Sequence, residues 1–191
     1  MSDDERRPAR EPVRHGASGG ELLSDYLDWL RGEVVDAVLD MHAGDRRRSR
    51  LPSGWTPIEL LSHLMHMERR WFLWGFLGEQ VPDPWGDFTV DEPWAADDSD
   101  ELRPGARWVV PDGVTAERLA ERLEAVAERT RDLLRHRPLD TPAALGGRFH
   151  DHQPTLEWIA YHVLAEYARH AGHLDVAVEI AHDAGAPRGT D

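Results

Sequence analysis

The residues of this chain best suited to chemistry are histidines and a glutamate set at helical spacing. His162, Glu166, His170 and His173 recur at three- and four-residue steps, and at about 100° per residue they fall within an arc of about 80° on a helix. Glu166 and His170 border the apolar arc of Ile159, Val163 and Ala177, whereas His162 and His173 turn further toward solvent. An i,i+4 pair places two side chains one turn apart on one face, close enough to share an ion. Earlier in the chain His63 shares an arc with Leu60, Met67, Trp71 and Trp74, while His66 is rotated away by roughly 60°. Buried imidazoles and a buried carboxylate are costly alone, and a divalent cation held by His63, Glu166 and His170 relieves that cost. Three protein ligands leave coordination positions open, as catalytic metal sites do. The competing explanation is local: Glu166 pairs with His170 or His162 within one helix, without a metal.

Composition limits what those residues can be part of. The chain has 191 residues, enough for one well-buried core. It has no cysteine, which removes disulfides, thiolate metal ligands and a cysteine nucleophile, so any metal takes nitrogen and oxygen donors. A formal net charge of -14 argues against nucleic acid as a partner, since phosphate binding needs a clustered basic surface. Every basic residue except histidine is arginine, a bias that fits a high-GC genome. No segment reads as a signal peptide or a membrane span, so the cytoplasm is the expected location, with no membrane partner.

Four amphipathic segments must position the candidate ligands. Residues 1–20 are polar and read as a disordered tail; a four-helix bundle is expected over residues 21–183, and a flexible tail over 184–191. Apolar residues at three- and four-residue steps predict helices over residues 21–41, 57–78, 115–137 and 155–181. Thr56, Pro57 and Glu59 form a capping-box start for the second helix, and Thr115 can cap the third. Residues 80–114 are proline-rich and aperiodic, which makes them a long connection between the second and third helices. Trp85, Phe88, Trp94 and Trp108 in that connection are expected to pack onto the bundle. The acidic residues Asp97, Asp98, Asp100 and Glu101 lack the ordered spacing of a calcium loop and read as a solvated surface. A second loop contains Gly146 and Gly147. The resulting class is all-α.

Two segments carry a resemblance. Ser53-Gly54-Trp55-Thr56-Pro57-Ile58-Glu59-Leu60-Leu61-Ser62-His63-Leu64, continuing to Met67-Glu68-Arg69-Arg70-Trp71-Phe72, and Glu166-Tyr167-Ala168-Arg169-His170-Ala171-Gly172-His173-Leu174-Asp175 resemble the DinB superfamily, and more closely its mini-circle branch. The resemblance implies a DinB-like four-helix bundle with a long crossover after helix 2, and a metal triad drawn from helices 2 and 4. His63 matches the first ligand of the family's commoner three-histidine pattern and His170 the last. Glu166 stands where that pattern has its middle histidine. Two histidines and a carboxylate suit zinc first, with nickel or iron as alternatives.

Relatives of this kind also imply a function. They include S-transferases and isomerases that use mycothiol, bacillithiol or glutathione, so the resemblance implies a low-molecular-weight thiol as co-substrate. The expectation is a metal-dependent enzyme joining such a thiol to a small electrophile, with the electrophile walled by Trp71, Trp74 and Trp85. A metal-dependent hydrolase, in which water replaces the thiol, is the alternative. A non-catalytic bundle binding a metal or small molecule is the third reading. A homodimer is expected on the same family grounds.

Overall fold

The computed structural model describes residues 11–12, 17–94 and 101–185. Most of both expected tails, and Asp97, Asp98 and Asp100, lie outside the described residues. Among the described residues the chain is helical, with isolated bridges such as Phe88 to Trp108 and no extended strand.

Each long helix begins where a side chain satisfies the free N–H groups of its first turn. Helix α1 spans Gly19–Asp40; Ser18 accepts from the Glu21 N–H while the Glu21 carboxylate accepts from the Ser18 N–H. A short α2, Ala43–Arg46, interrupts the first connection; its four residues are too few to leave a periodic signal. Helix α3 covers Pro57–Arg69 and starts on the expected Thr56 and Glu59 capping box with Pro57 in the first turn. It runs on without a break into π-helical turns over Arg70–Phe76. Helix α4 is Ala116–His136, capped by Thr115, and α5 is Leu156–Gly185. The ends agree with the expected ones to within a few residues, except that α5 continues further.

The four long helices form a bundle in which α1 and α3 each pack on both α4 and α5, leaving α4 and α5 at opposite corners. Apolar side chains at helical spacing meet at the centre, among them Leu27 and Val38 of α1, Leu60, Leu61 and Leu64 of α3, and Ile159 and Val163 of α5, all without solvent exposure. Such burial stabilises by roughly 1.5 to 3 kcal/mol per large side chain. It is non-directional, so by itself it sets no helix register.

One buried carboxylate supplies direction. Glu68 of α3 is fully buried and accepts four hydrogen bonds from the other three long helices. Arg31 of α1 donates Nε to Oε2 at 2.9 Å and Nη2 to Oε1 at 2.7 Å. Thr130 Oγ1 of α4 donates to Oε1 at 2.7 Å, and the Tyr167 hydroxyl of α5 donates to Oε2 at 2.7 Å. Arg31 also reaches Asp28, which binds Arg131 of α4. Burial and the adjacent Glu68 charge push the Tyr167 phenol well above its ordinary range, so it stays a donor. Removing one partner of a buried pair strands the other charge. Glu68→Ala is therefore expected to lower stability by about 3 to 5 kcal/mol, read by urea unfolding, and a loss below about 0.5 kcal/mol would show that the network is dispensable.

Candidate metal centre

Helices α3 and α5 bring His63, Glu166 and His170 together, with one potential ligand atom from each lying within 4.8 Å of the others. Glu166 Oε2 sits 3.3 Å from His170 Nε2, and the rings of His63 and His170 meet edge to face at 5.1 Å. Ligands at about 2.1 Å from a tetrahedral cation lie ~3.4 Å apart, so the carboxylate and the His170 ring already have that spacing. The intrahelical contact between Glu166 and His170 is thus present as part of a three-residue cluster. His63 is buried, while the Glu166 and His170 side chains keep 26% and 12% exposure, which leaves a route from solvent.

The long connection completes the arrangement through a residue that helical spacing could not reveal. Asp87, fully buried, accepts a hydrogen bond from His63 Nδ1 at 2.9 Å and is clasped by both terminal nitrogens of Arg70. Burial alone would raise the Asp87 carboxyl; the His63 hydrogen bond and the Arg70 guanidinium outweigh it and hold it below the usual range. An ionised carboxylate only accepts, so the His63 proton sits on Nδ1 and the Nε2 lone pair is left for the cluster. Burial lowers the His63 pKa, with the Asp87 hydrogen bond opposing, and the ring is neutral at neutral pH. The Glu166 carboxyl is lowered chiefly by its contact with His170. His170 Nδ1 is buried with no hydrogen-bond partner among the described residues. A neutral imidazole with a fixed tautomer, an ionised carboxylate and a second imidazole form a donor set that fits a divalent cation.

Aromatic residues of the same connection pack over the cluster. Trp108 stacks on His63 at 4.3 Å and stands edge-on to His170 at 5.4 Å, while Phe88 meets His63 edge-on at 5.9 Å. Three histidines lie apart from the cluster. His66 is buried beside Arg69, on a cavity also lined by Ser62, Arg122 and Val126. His162 is not solvent-facing as the helical arc implied: Trp158 stacks on it and Trp71 lies 4.2 Å away, so two indoles cover it. His173 is exposed, and its ring meets the His170 ring edge to face at 5.7 Å from outside the cluster.

Trp71, Trp74 and Trp85 line one cleft together with Trp94, Phe149, Arg148 and Glu92. It adjoins the cluster through two side chains: Phe88, which touches His63, Trp85 and Trp94, and His162, which touches Trp71 one helical turn from Glu166. Helical periodicity pointed to Trp71 and Trp74, and the aromatic content of the long connection to Trp85, but nothing in the sequence gave a sign of Arg148 or Phe149, which arrive from the loop after α4.

Fold and cluster together place the chain in the DinB-like class of helical bundles. A family model described as mycothiol-S-transferase matches residues 22–181, and the chain belongs to that family. No curated protein and no solved structure matches it.

Two outcomes follow from this geometry. His170→Ala should abolish zinc binding in equilibrium dialysis and Asp87→Asn should weaken it by about 10- to 100-fold, whereas His173→Ala should leave it unchanged; equal loss from His170→Ala and His173→Ala would mean that the wrong face of α5 has been chosen. Burial also pushes His66 down to about 4. An unfolded His66 takes its proton near pH 6.5 and the folded one only near pH 4, so the unfolded state binds more protons across that window and stability falls as pH is lowered through it. His66→Gln should flatten the slope of unfolding free energy between about pH 6.5 and 4, and an unchanged slope would show that other groups carry it.

Proposed function

We propose that this protein is a divalent-metal-dependent S-transferase that joins mycothiol, or a related low-molecular-weight thiol, to a small electrophile. The observation that carries this reading is the convergence of His63, Glu166 and His170 in a chain of the mycothiol-S-transferase family. The chain contains no cysteine, so a reacting sulfur must come from outside it. Zinc suits the donor set first, with nickel or iron as alternatives. A bound cation would act as a Lewis acid that makes a coordinated thiol a thiolate at neutral pH.

The chain's own groups have separable tasks in this reading. Asp87 holds the proton of His63 at Nδ1 and fixes the ring plane. Glu166 contributes negative charge at the cluster, and Trp108 with Phe88 excludes water from the His63 side. Trp71, Trp74 and Trp85 wall the adjoining cleft in which the electrophile rests. Among the described residues no helix is long and apolar enough to cross a membrane, and the cytoplasm, where small thiols are kept reduced, is the proposed setting.

The test screens electrophiles with mycothiol, bacillithiol or glutathione against zinc-loaded and chelated protein, reading conjugates by mass. Conjugate formation should require both metal and thiol. Glu166→Gln keeps the side-chain shape but removes the charge, and should weaken metal retention and lower turnover by at least about tenfold. Turnover unaffected by chelation would overturn the reading, and metal-dependent cleavage of an ester or amide without thiol would replace it by a hydrolase.

A further inference from the structure

The loop after α4 delivers a cation to the tryptophan cleft by a constrained route. A Cβ at Gly147 would lie 2.2 Å from the Trp74 carbonyl oxygen and 2.7 Å from Gly78 Cα, so only glycine lets the loop press against the π-helical end of α3. There the Arg148 N–H donates to the Trp74 carbonyl at 3.2 Å and the Ala144 N–H to the Phe76 carbonyl at 2.8 Å. With its backbone pinned, Arg148 extends its guanidinium over three indoles, 4.4 Å from the Trp71 ring centre, 5.5 Å from Trp85 and 5.9 Å from Trp74.

That guanidinium is half-buried, and no described residue accepts a hydrogen bond from it or forms an ion pair with it. Burial, with the nearby Arg70 charge, lowers it to about 10, so it remains a cation at neutral pH. Arg70 is engaged by Asp87 and packs on the same aromatic group, 4.7 Å from the Trp85 ring centre. Glu92 lines the cleft but is directed to Arg103, 3.6 Å away. Indole faces attract a cation through their quadrupole, yet they do not replace the acceptors that five N–H donors seek. The cleft has a volume of about 420 Å³, within the range of small-molecule sites.

We propose that this cleft binds a flat, carboxylate-bearing small molecule, its plane against the indoles and its anion paired with Arg148. In a chain of net charge -14, one unpaired guanidinium among tryptophans is a local positive site that rewards a charged ligand over a neutral one. The inference rests on the S-transferase reading only in naming that ligand as the electrophile; binding itself requires neither thiol nor metal.

Calorimetric titration of the full-length protein with naphthalene-2-carboxylate and with naphthalene-2-carboxamide tests it. The acid should bind at least about tenfold more tightly than the amide, with or without chelator. Arg148→Gln should bring the two affinities together, Arg148→Lys should restore part of the preference, and Trp74→Leu should weaken both ligands alike, with thermal melts confirming that each variant is folded. Equal affinity for acid and amide in the unmodified protein, or no binding of either at millimolar concentration, would overturn the proposal even if Arg148→Gln does not fold. A preference that survives Arg148→Gln would overturn it as well. Because the titrations contain no thiol, failure of the conjugation assay would leave this result standing, and failure here would leave conjugation of neutral electrophiles untouched.

Discussion

The site depends on Glu68. Its four hydrogen bonds tie α3 to α1, α4 and α5, and the positions of Glu68 and Tyr167 relative to the cluster residues explain why that matters. Glu68 lies five residues beyond His63 on α3, and its partner Tyr167 directly follows Glu166 on α5. Fixing the Tyr167 hydroxyl on the Glu68 carboxylate therefore fixes the axial register of the two helices that bear the cluster. Apolar packing tolerates sliding by fractions of a turn; a fully buried carboxylate with directional donors does not. A buried ion pair is weak evidence for net stability, and its use here is in specifying one alignment, much as a single polar position can set the register of a coiled coil.

A second buried carboxylate repeats the device nearer to the chemistry. Asp87 is held on one side by Arg70 of the π-helical turns and offers its other face to His63. The guanidinium makes the carboxylate a reliable anion, and the anion makes His63 a reliable Nδ1–H tautomer. The π-helical turns contribute in another way, because they end the helix at Phe76, and its last-turn Trp74 and Phe76 carbonyls, without intrahelical partners, accept the N–H groups of Arg148 and Ala144. Such turns are rare and occur frequently at functional sites. Here they join the two long connections to one helix end, so the aromatic cover of the cluster and the wall of the cleft share a foundation.

How much of this was legible in the sequence follows from the range of each interaction. Helix starts are local, and Thr56 with Glu59, or Thr115, could be read directly because their partners lie three residues away. His63, Glu166 and His170 were readable because helical periodicity is regular enough to choose a face. The same regularity misplaced His162, since its cover comes from Trp71 on another helix as well as from Trp158 beside it. The buried pairings of Glu68, Arg31 and Asp87 carried no local signal: Glu68 and Arg31 are 37 residues apart, Glu68 and Tyr167 99, and Asp87 lies 17 and 24 residues from Arg70 and His63, and in sequence a buried charge looks like a solvated one. Arg148 was hidden for the same reason, although Gly146-Gly147 marked the turn that delivers it.

The distribution of charge ties these observations together. Arg31 and Arg70 are buried against carboxylates that neutralise them and order their surroundings, and Arg131 is bound by two more. Each of these cations spends its electrostatic potential inside the protein. Arg148 is lowered by burial like a group that has left water, yet what surrounds it is indole faces, which attract the cation without neutralising it. A chain with so large an excess of acid had carboxylates available to pair with it, and the cleft's own Glu92 turns to Arg103 instead. Among the described residues Arg148 is thus a half-buried cation with no carboxylate partner that lines an open cleft beside the histidine cluster, the position in which a positive charge acts on a ligand and not on the fold.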